Sequence, residues 1–261
     1  MTDDHLHVTR RGRVLEVTLD RPKANAIDGA TSRRMGDLFA EFRDDPELRV
    51  AIVTAAGTKF FSAGWDLKGA AEGESPDTDY GAGGFAGLQE LPRLNKPVIA
   101  AVNGMAVGGG LELAISCDLI LAAEHARLAL PEIKVGVLAD AASIKLHRRI
   151  PFHVCMDLLL TGRWMEAKEA ARWGLVNEVL PTGRLMDRAR EVADLLADGP
   201  PLVFAAIKET IRMTEDLKVQ EAFDLMHRKG IPAVNTLYAS EDLQEGTRAF
   251  SEKRQPVWKG R

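Results

Sequence analysis

Asn103-Gly-Met-Ala-Val-Gly-Gly-Gly-Leu-Glu-Leu-Ala-Ile-Ser-Cys-Asp118 is the most informative stretch of the chain. It follows Pro97–Val102, an apolar run of core-strand length. It continues into Leu111–Ser116, whose apolar residues suit a buried helix. Gly108–Gly110 therefore sit where a strand turns into a helix. Such a turn leaves backbone N–H groups uncommitted at the helix start, and these can hold an anion. The spacing fits neither a dinucleotide fingerprint nor a phosphate-binding loop, because no Gly-Lys-Ser/Thr follows. Glu112 lies between Leu111 and Leu113. It reads either as a buried carboxylate put to use, or as a glutamate on a solvated face or capping the turn. Glu132, just after Pro131, reads as a helix N-terminal charge or as a partner for Glu112. Two carboxylates about one water apart can divide acid and base roles.

Outward from this stretch, Arg13–Leu19 alternates like a half-buried strand, with Glu16 and Thr18 on the outer side. Asp28 is a candidate cap for a helix over Thr31–Arg43, and Leu48–Ala55 reads as a buried strand. Gly57–Lys68 reads as a loop. Within it Phe61-Ser-Ala-Gly-Trp-Asp66 is a second small-residue turn, able to offer an N–H to the oxygen that the glycine turn binds. Gly69–Gly87, rich in Gly, Ala, Ser, Pro and acidic residues, reads as a mobile surface segment. Leu119–Ala122 and Arg127–Leu130 read as strands. The chain is mostly helical from Ile144, with stops at Gly162 and Gly174. Pro200-Pro201 marks a boundary between a core, 1–199, and a helical appendage, 200–261. Helices are expected over Leu202–Met213, Val219–Met226 and Glu241–Phe250.

The 261 residues carry 46% hydrophobic and 28% charged residues, as an ordinary soluble protein does. A net charge of −4 gives no reason to expect nucleic acid or an anionic membrane as partner. The two cysteines, Cys117 and Cys155, lie in apolar helical surroundings and read as buried thiols, which fits a reducing cytoplasm. The N-terminal residues lack the basic and apolar regions of a signal peptide, and no apolar run reaches membrane-spanning length. The six histidines show no metal-site spacing, and His5 and His7 read as a solvated tail.

Several stretches in this order resemble the crotonase (enoyl-CoA hydratase/isomerase) family over essentially the whole chain. They are Leu19-Asp-Arg-Pro-Lys-Ala-Asn-Ala-Ile27, Phe61-Ser-Ala-Gly-Trp-Asp-Leu67, Lys96-Pro-Val-Ile-Ala-Ala-Val-Asn-Gly104, the glycine turn, Leu130-Pro-Glu132 and Ala249-Phe-Ser-Glu-Lys-Arg254. Within the family, Arg21–Asp28, Phe60–Lys68, Gly83–Gly87 and the ending Pro256–Arg261 are most similar to members acting on a trimethylammonium-bearing acyl group. The resemblance implies an α/β fold, a spiral of strand-strand-helix units, with a C-terminal helical segment that builds homotrimers or homohexamers. It implies an acyl-CoA substrate, with coenzyme A part of that substrate, and no metal, nicotinamide or flavin. By the same resemblance Glu112 and Glu132 are catalytic, and the backbone N–H groups of Trp65 and Gly109 form an oxyanion hole. Substrate and coenzyme A contacts fall on Ala63, Trp65, Asp66, Leu67, Lys68 and Gly109, with Phe250 and Lys253 reaching a neighbouring subunit's site. Having both carboxylates favours hydration over isomerisation. The chain departs from the family after Gly136: Ala139 stands where proline is expected and Ala142-Ser143 where a glycine pair is expected. The departure reads either as an altered acyl pocket or as relaxed packing with unchanged activity. The rival readings are another hydratase, isomerase, hydrolase or decarboxylase of this fold, and a non-catalytic CoA- or RNA-binding member.

Overall fold

The computed structural model describes residues 5–66, 75 and 77–261. Its largest sheet is six-stranded, in the order β1-β2-β4-β7-β9-β12. The strands are β1 Leu6–Arg11, β2 Val14–Leu19, β4 Val50–Ala55, β7 Val98–Val102, β9 Leu119–Ala123 and β12 Glu178–Leu180. β1 and β2 form an antiparallel hairpin, and the neighbours from β2 to β12 pair in parallel. β4 and β7 are buried along their whole length, as central parallel strands covered on both faces should be.

A second sheet, β11-β10-β8-β5, is built from β5 Phe60–Ser62, β8 Met105–Val107, β10 Arg127–Ala129 and β11 Trp164–Glu166. The chain passes from one sheet to the other in each turn of the spiral. β4 leads to β5, β7 to β8 and the helix Gly109–Ile115, and β9 to β10 and a 3-10 turn at Pro131–Lys134. A two-stranded pair, β3 Ala26–Ile27 with β6 Gly64–Trp65, completes the arrangement. Phe39, Phe42, Phe61, Met35 and Leu111 are among the largest fully buried side chains, in one core cluster running from Val14 to Ala197. A separate small cluster, Ala206, Ile231 and Val234, lies among the C-terminal helices. These helices are tied to the core by Lys208, whose ammonium donates to Asp118 Oδ2 at 2.6 Å and to the Lys96 carbonyl at 2.8 Å.

Several elements match their expectation. Asp28 caps the helix Gly29–Asp44, accepting from Thr31 N–H at 2.8 Å. Gly162 ends the helix Phe152–Thr161 in the left-handed region, and Cys117 and Cys155 are buried free thiols. Others differ. Residues near His5 and His7 are no tail: β1 starts at Leu6, and His7 Nε2 bonds Asp20 Oδ2 at 2.8 Å. Glu16 is not on an outer face, because the helix Leu185–Ala197 brings Arg190 over it, bonding both carboxylate oxygens at 2.9 and 2.8 Å. The Gly57–Lys68 loop contains β5 and β6, whose two- and three-residue lengths leave no periodicity to read. Gly69–Glu74 and Pro76 lie outside the described residues. Of the described remainder, Ser75, Asp77, Asp79, Gly81 and Ala82 are exposed as expected, but the end of the segment packs: Gly83, Gly84, Ala86 and Gly87 are buried, and Ala86 N–H donates to Ser32 Oγ at 3.1 Å. β11, β12 and the helix Pro232–Tyr238 also went unread, each too short to carry a pattern.

Two buried asparagines hold the strand ends that lead to the site. Asn103 Nδ2 donates to the Ala55 and Gly57 carbonyls, both at 2.7 Å. Asn25 Nδ2 donates to the Ala56 and Phe60 carbonyls at 3.1 and 3.0 Å. Asn103→Ala leaves two acceptors without their donor, so urea denaturation should show a loss of about 1–3 kcal/mol with an unchanged m-value.

Candidate active site

The glycine turn has the strand-to-helix geometry that the sequence implies. Gly108 adopts φ 55°, ψ −127°, and the helix Gly109–Ile115 starts on the next residue. A side chain at Gly108 would collide with Glu132 Oε1, so only glycine lets that carboxylate lie over the turn. The second turn comes equally close: a Cβ on Gly64, whose φ is +80°, would lie 2.6 Å from the Val107 carbonyl and 2.7 Å from Gly109 N. Ser62 Oγ braces this turn by donating to the Asn25 carbonyl at 2.6 Å and accepting from Gly64 N–H at 3.1 Å. As the first helical residue, Gly109 has no intrahelical acceptor for its N–H. Asp66 N–H donates to the Ile27 carbonyl of β3 at 3.0 Å. Successive N–H groups of an extended strand alternate sides, so Trp65 N–H faces away from β3. Trp65 and Gly109 both line a cavity of about 410 Å³.

Glu112 and Glu132 line the same cavity. Glu112 is 5% exposed. Its Oε1 accepts from Ala142 N–H at 2.8 Å, and its Oε2 from Gln89 Nε2 at 3.4 Å. Burial pushes its carboxyl from the ordinary 4.5 up to about 7, with the charges of Asp140 and Glu132 adding to the rise and the two hydrogen bonds opposing it. A tenfold change in proton affinity is about 1.4 kcal/mol. The rise therefore outweighs the ~0.3–1 kcal/mol by which a helix N-terminus favours an anion. Glu132 comes from the 3-10 turn Pro131–Lys134, with its Oε2 buried and unbonded. Burial raises its carboxyl too, helped by Asp140. The cavity thus sets two carboxyl groups of raised proton affinity beside backbone N–H donors. That arrangement suits proton transfer next to a carbonyl whose oxygen gains negative charge.

Ala63 joins Trp65 and Gly109 on the cavity wall. Asp66 does not line it. Its carboxylate accepts from Arg21 Nη1 at 2.7 Å, while Arg21 Nη2 reaches Asp28 at 2.9 Å. Leu67 and Lys68 lie outside the described residues. Phe250 and Lys253, at the end of the helix Glu241–Glu252, are exposed and do not line the cavity. Gln89, Asp140 and Ala142 were missed as site residues. Ala142 and Asp140 fall in the segment that departs from the family, which was the one available signal. Despite the missing glycine pair, a helix starts there at Asp140 and Ala142 still points its N–H at Glu112. Gln89 has no sequence signal at all. Among the described residues no group of three His, Cys, Asp or Glu side chains is placed to hold a metal ion.

An enoyl-CoA hydratase/isomerase family model matches residues 9–261, and the chain belongs to that family. Carnitinyl-CoA dehydratases are among its relatives. That of Proteus mirabilis is 54% identical over 257 residues, 98% of each chain. That of Escherichia coli strain K12 is 54% identical over 259 residues, 99% of each chain. Among solved structures, an enoyl-CoA hydratase from Mycobacterium marinum superposes with TM-score 0.90 at 36% identity, covering 99% of this chain and 100% of that one. One from Geobacillus kaustophilus does so with TM-score 0.90 at 32% identity, covering 100% and 98%. The α/β spiral is thus the family's own architecture.

A carboxyl whose proton affinity is raised by folding favours the native state most at low pH. For Glu112 that contribution is present below 4.5 and is lost as pH rises through about 7. Glu112→Gln should therefore gain stability relative to the parent chain between pH 5 and pH 8, measured by urea denaturation at both. An equal difference at the two pH values would contradict this account of the burial.

Proposed function

We propose that this chain is a hydro-lyase catalysing the reversible hydration of a short-chain 2,3-enoyl-CoA thioester, with crotonobetainyl-CoA and carnitinyl-CoA as the pair. The observation that carries the reading is that Glu112, Glu132, Trp65 and Gly109 all line one cavity. The 54% identity to carnitinyl-CoA dehydratases supports the choice of acyl group.

In this reading the thioester oxygen takes the N–H groups of Trp65 and Gly109. Glu112, ionised, accepts a proton from a water whose oxygen forms the bond to the β-carbon. The π-electron pair of the double bond moves toward the α-carbon and the thioester, giving an enolate whose oxygen the two amides stabilise. Removing one donor of this kind costs roughly 3 kcal/mol elsewhere. Glu132, protonated, then delivers its proton to the α-carbon, and the carbonyl re-forms. Dehydration runs the same steps backward. The raised proton affinities fit both tasks: Glu112 at about 7 is a stronger base than a solvated carboxylate, and Glu132 retains a proton to higher pH. Coenzyme A enters as part of the substrate, and the chemistry calls for no metal, nicotinamide or flavin.

The active form in this reading is a homotrimer or a pair of trimers working in the cytoplasm. Ile207, Ile211, Phe223, Tyr238 and Phe250 on the C-terminal helices are exposed, and contacts between subunits would cover them. Residues 200–261 would form the assembly segment, and Phe250 and Lys253 would reach a neighbouring subunit's coenzyme A. No described helix is long and apolar enough to cross a membrane. The changed residues at Ala139 and Ala142-Ser143 favour one second reading, a hydratase or isomerase of the family acting on another acyl chain.

Purified protein assayed against a panel of enoyl-CoAs should show loss of the conjugated thioester's ultraviolet absorbance, fastest with crotonobetainyl-CoA. Glu112→Gln and Glu132→Gln should each lower kcat by about 10²–10⁴-fold; near-normal rates in both would overturn the mechanism. A trimethylammonium group is drawn to aromatic faces by about 0.5–2 kcal/mol. Trp65→Ala should therefore reduce activity on crotonobetainyl-CoA more than on crotonyl-CoA, and equal losses would mean that Trp65 only packs.

A further inference from the structure

Glu112 closes a ring of hydrogen bonds with three residues that the proposed chemistry does not use. Gln89 Nε2 donates to Glu112 Oε2 at 3.4 Å. The Gln89 backbone carbonyl accepts from Lys145 Nζ at 2.6 Å. The same ammonium donates to Ser116 Oγ at 3.0 Å, and Ser116 Oγ donates to the Glu112 carbonyl at 2.8 Å. Lys145 ends the helix Asp140–Lys145, whose Ala142 N–H holds the other oxygen of Glu112. Both oxygens of the carboxylate are thus anchored from one short helix, directly by Ala142 in its first turn and through Gln89 by Lys145, its last residue.

A lysine is a costly choice for this place. Burial lowers its proton affinity below the ordinary lysine range. Among the described residues it has no ion-pair partner within salt-bridge distance. A leucine or methionine would fill the space without desolvating an ammonium. What the ammonium adds is reach and direction: two donors that tie the Gln89 backbone to the helix carrying Glu112. The Gln89–Glu112 bond is long, so its geometry depends on where the Gln89 backbone is held.

We propose that Lys145 is a positioning residue which, through Gln89 and Ser116, fixes the orientation of the Glu112 carboxylate in the cavity. The inference rests on the water-activating role given to Glu112. Charged or titratable groups facing the two partners are Glu90, Cys117 and Arg149 around Lys145, and Glu132 and Asp140 around Glu112. Loosening Gln89 removes a hydrogen bond that favours ionised Glu112, and losing the ammonium removes a nearby positive charge. Both changes move its titration to higher pH.

The test compares Lys145→Met, Gln89→Met and the double variant in the full chain, assayed with the best enoyl-CoA of the panel. Each single variant should lower kcat by about tenfold, since small misplacements of a catalytic group are expensive. KM should change little, and the acid limb of the kcat/KM profile should shift upward. The double variant should lose less than the product of the single losses, because both act on Glu112 through the shared Gln89 contact while only Lys145 also acts through Ser116. Unchanged kcat and pH profile in Lys145→Met, or a double loss equal to the product of the single losses, would overturn the proposal. If Lys145→Met does not fold, Lys145→Gln and Ser116→Ala decide the matter by the same two readouts: native values in both overturn it, and lowered kcat with the shifted profile supports it. Glu112→Gln serves as the control. If it retains hydratase activity, the role given to Glu112 is what fails, whatever the ring does.

Discussion

A carboxylate buried at the start of a short helix is the constraint around which this molecule is arranged. Glu112 sits in the first turn of Gly109–Ile115 with all its helical neighbours buried. Desolvation penalises its charged form by more than the helix terminus favours it. The fold answers with donors from outside the helix, Ala142 N–H and Gln89 Nε2. These come from segments on either side in the chain, so the spiral must bring both to the same point. The carboxyl remains poised near neutrality, which is where a proton-transfer group is most useful.

The two glycine turns obey a second constraint that follows from the first. Backbone donors can converge on one oxygen only if their chains approach to near contact. Gly64 and Gly108 permit that approach, because a Cβ at either would strike the facing turn or Glu132. Asn25 and Asn103 maintain it by bonding carbonyls at the ends of β4 and β5. Their amide donors stabilise this approach only while those bonds are made, and Asn103 Oδ1 is itself buried without a partner. The same residues therefore serve the fold and the geometry of the site together.

The sequence by itself determined the strand-to-helix turn, because a strand, three glycines and a helical apolar pattern are local signals. It determined the buried strands Val50–Ala55 and Val98–Val102, whose continuous apolar runs suit only a covered sheet. It named Glu112, Glu132, Trp65 and Gly109 through motif order, and the cavity brings these together. Tertiary structure alone decided the rest. β5, β6, β11 and β12 are two or three residues long and exist because a neighbouring strand pairs with them. Glu16 reads as solvated until Arg190, far along the chain, covers it. Gln89 and Lys145 carry no motif, since their roles arise from contacts between elements distant in sequence. Local patterns record what a residue needs from its neighbours in the chain. Which distant groups satisfy a buried charge is settled only when the chain has folded around it.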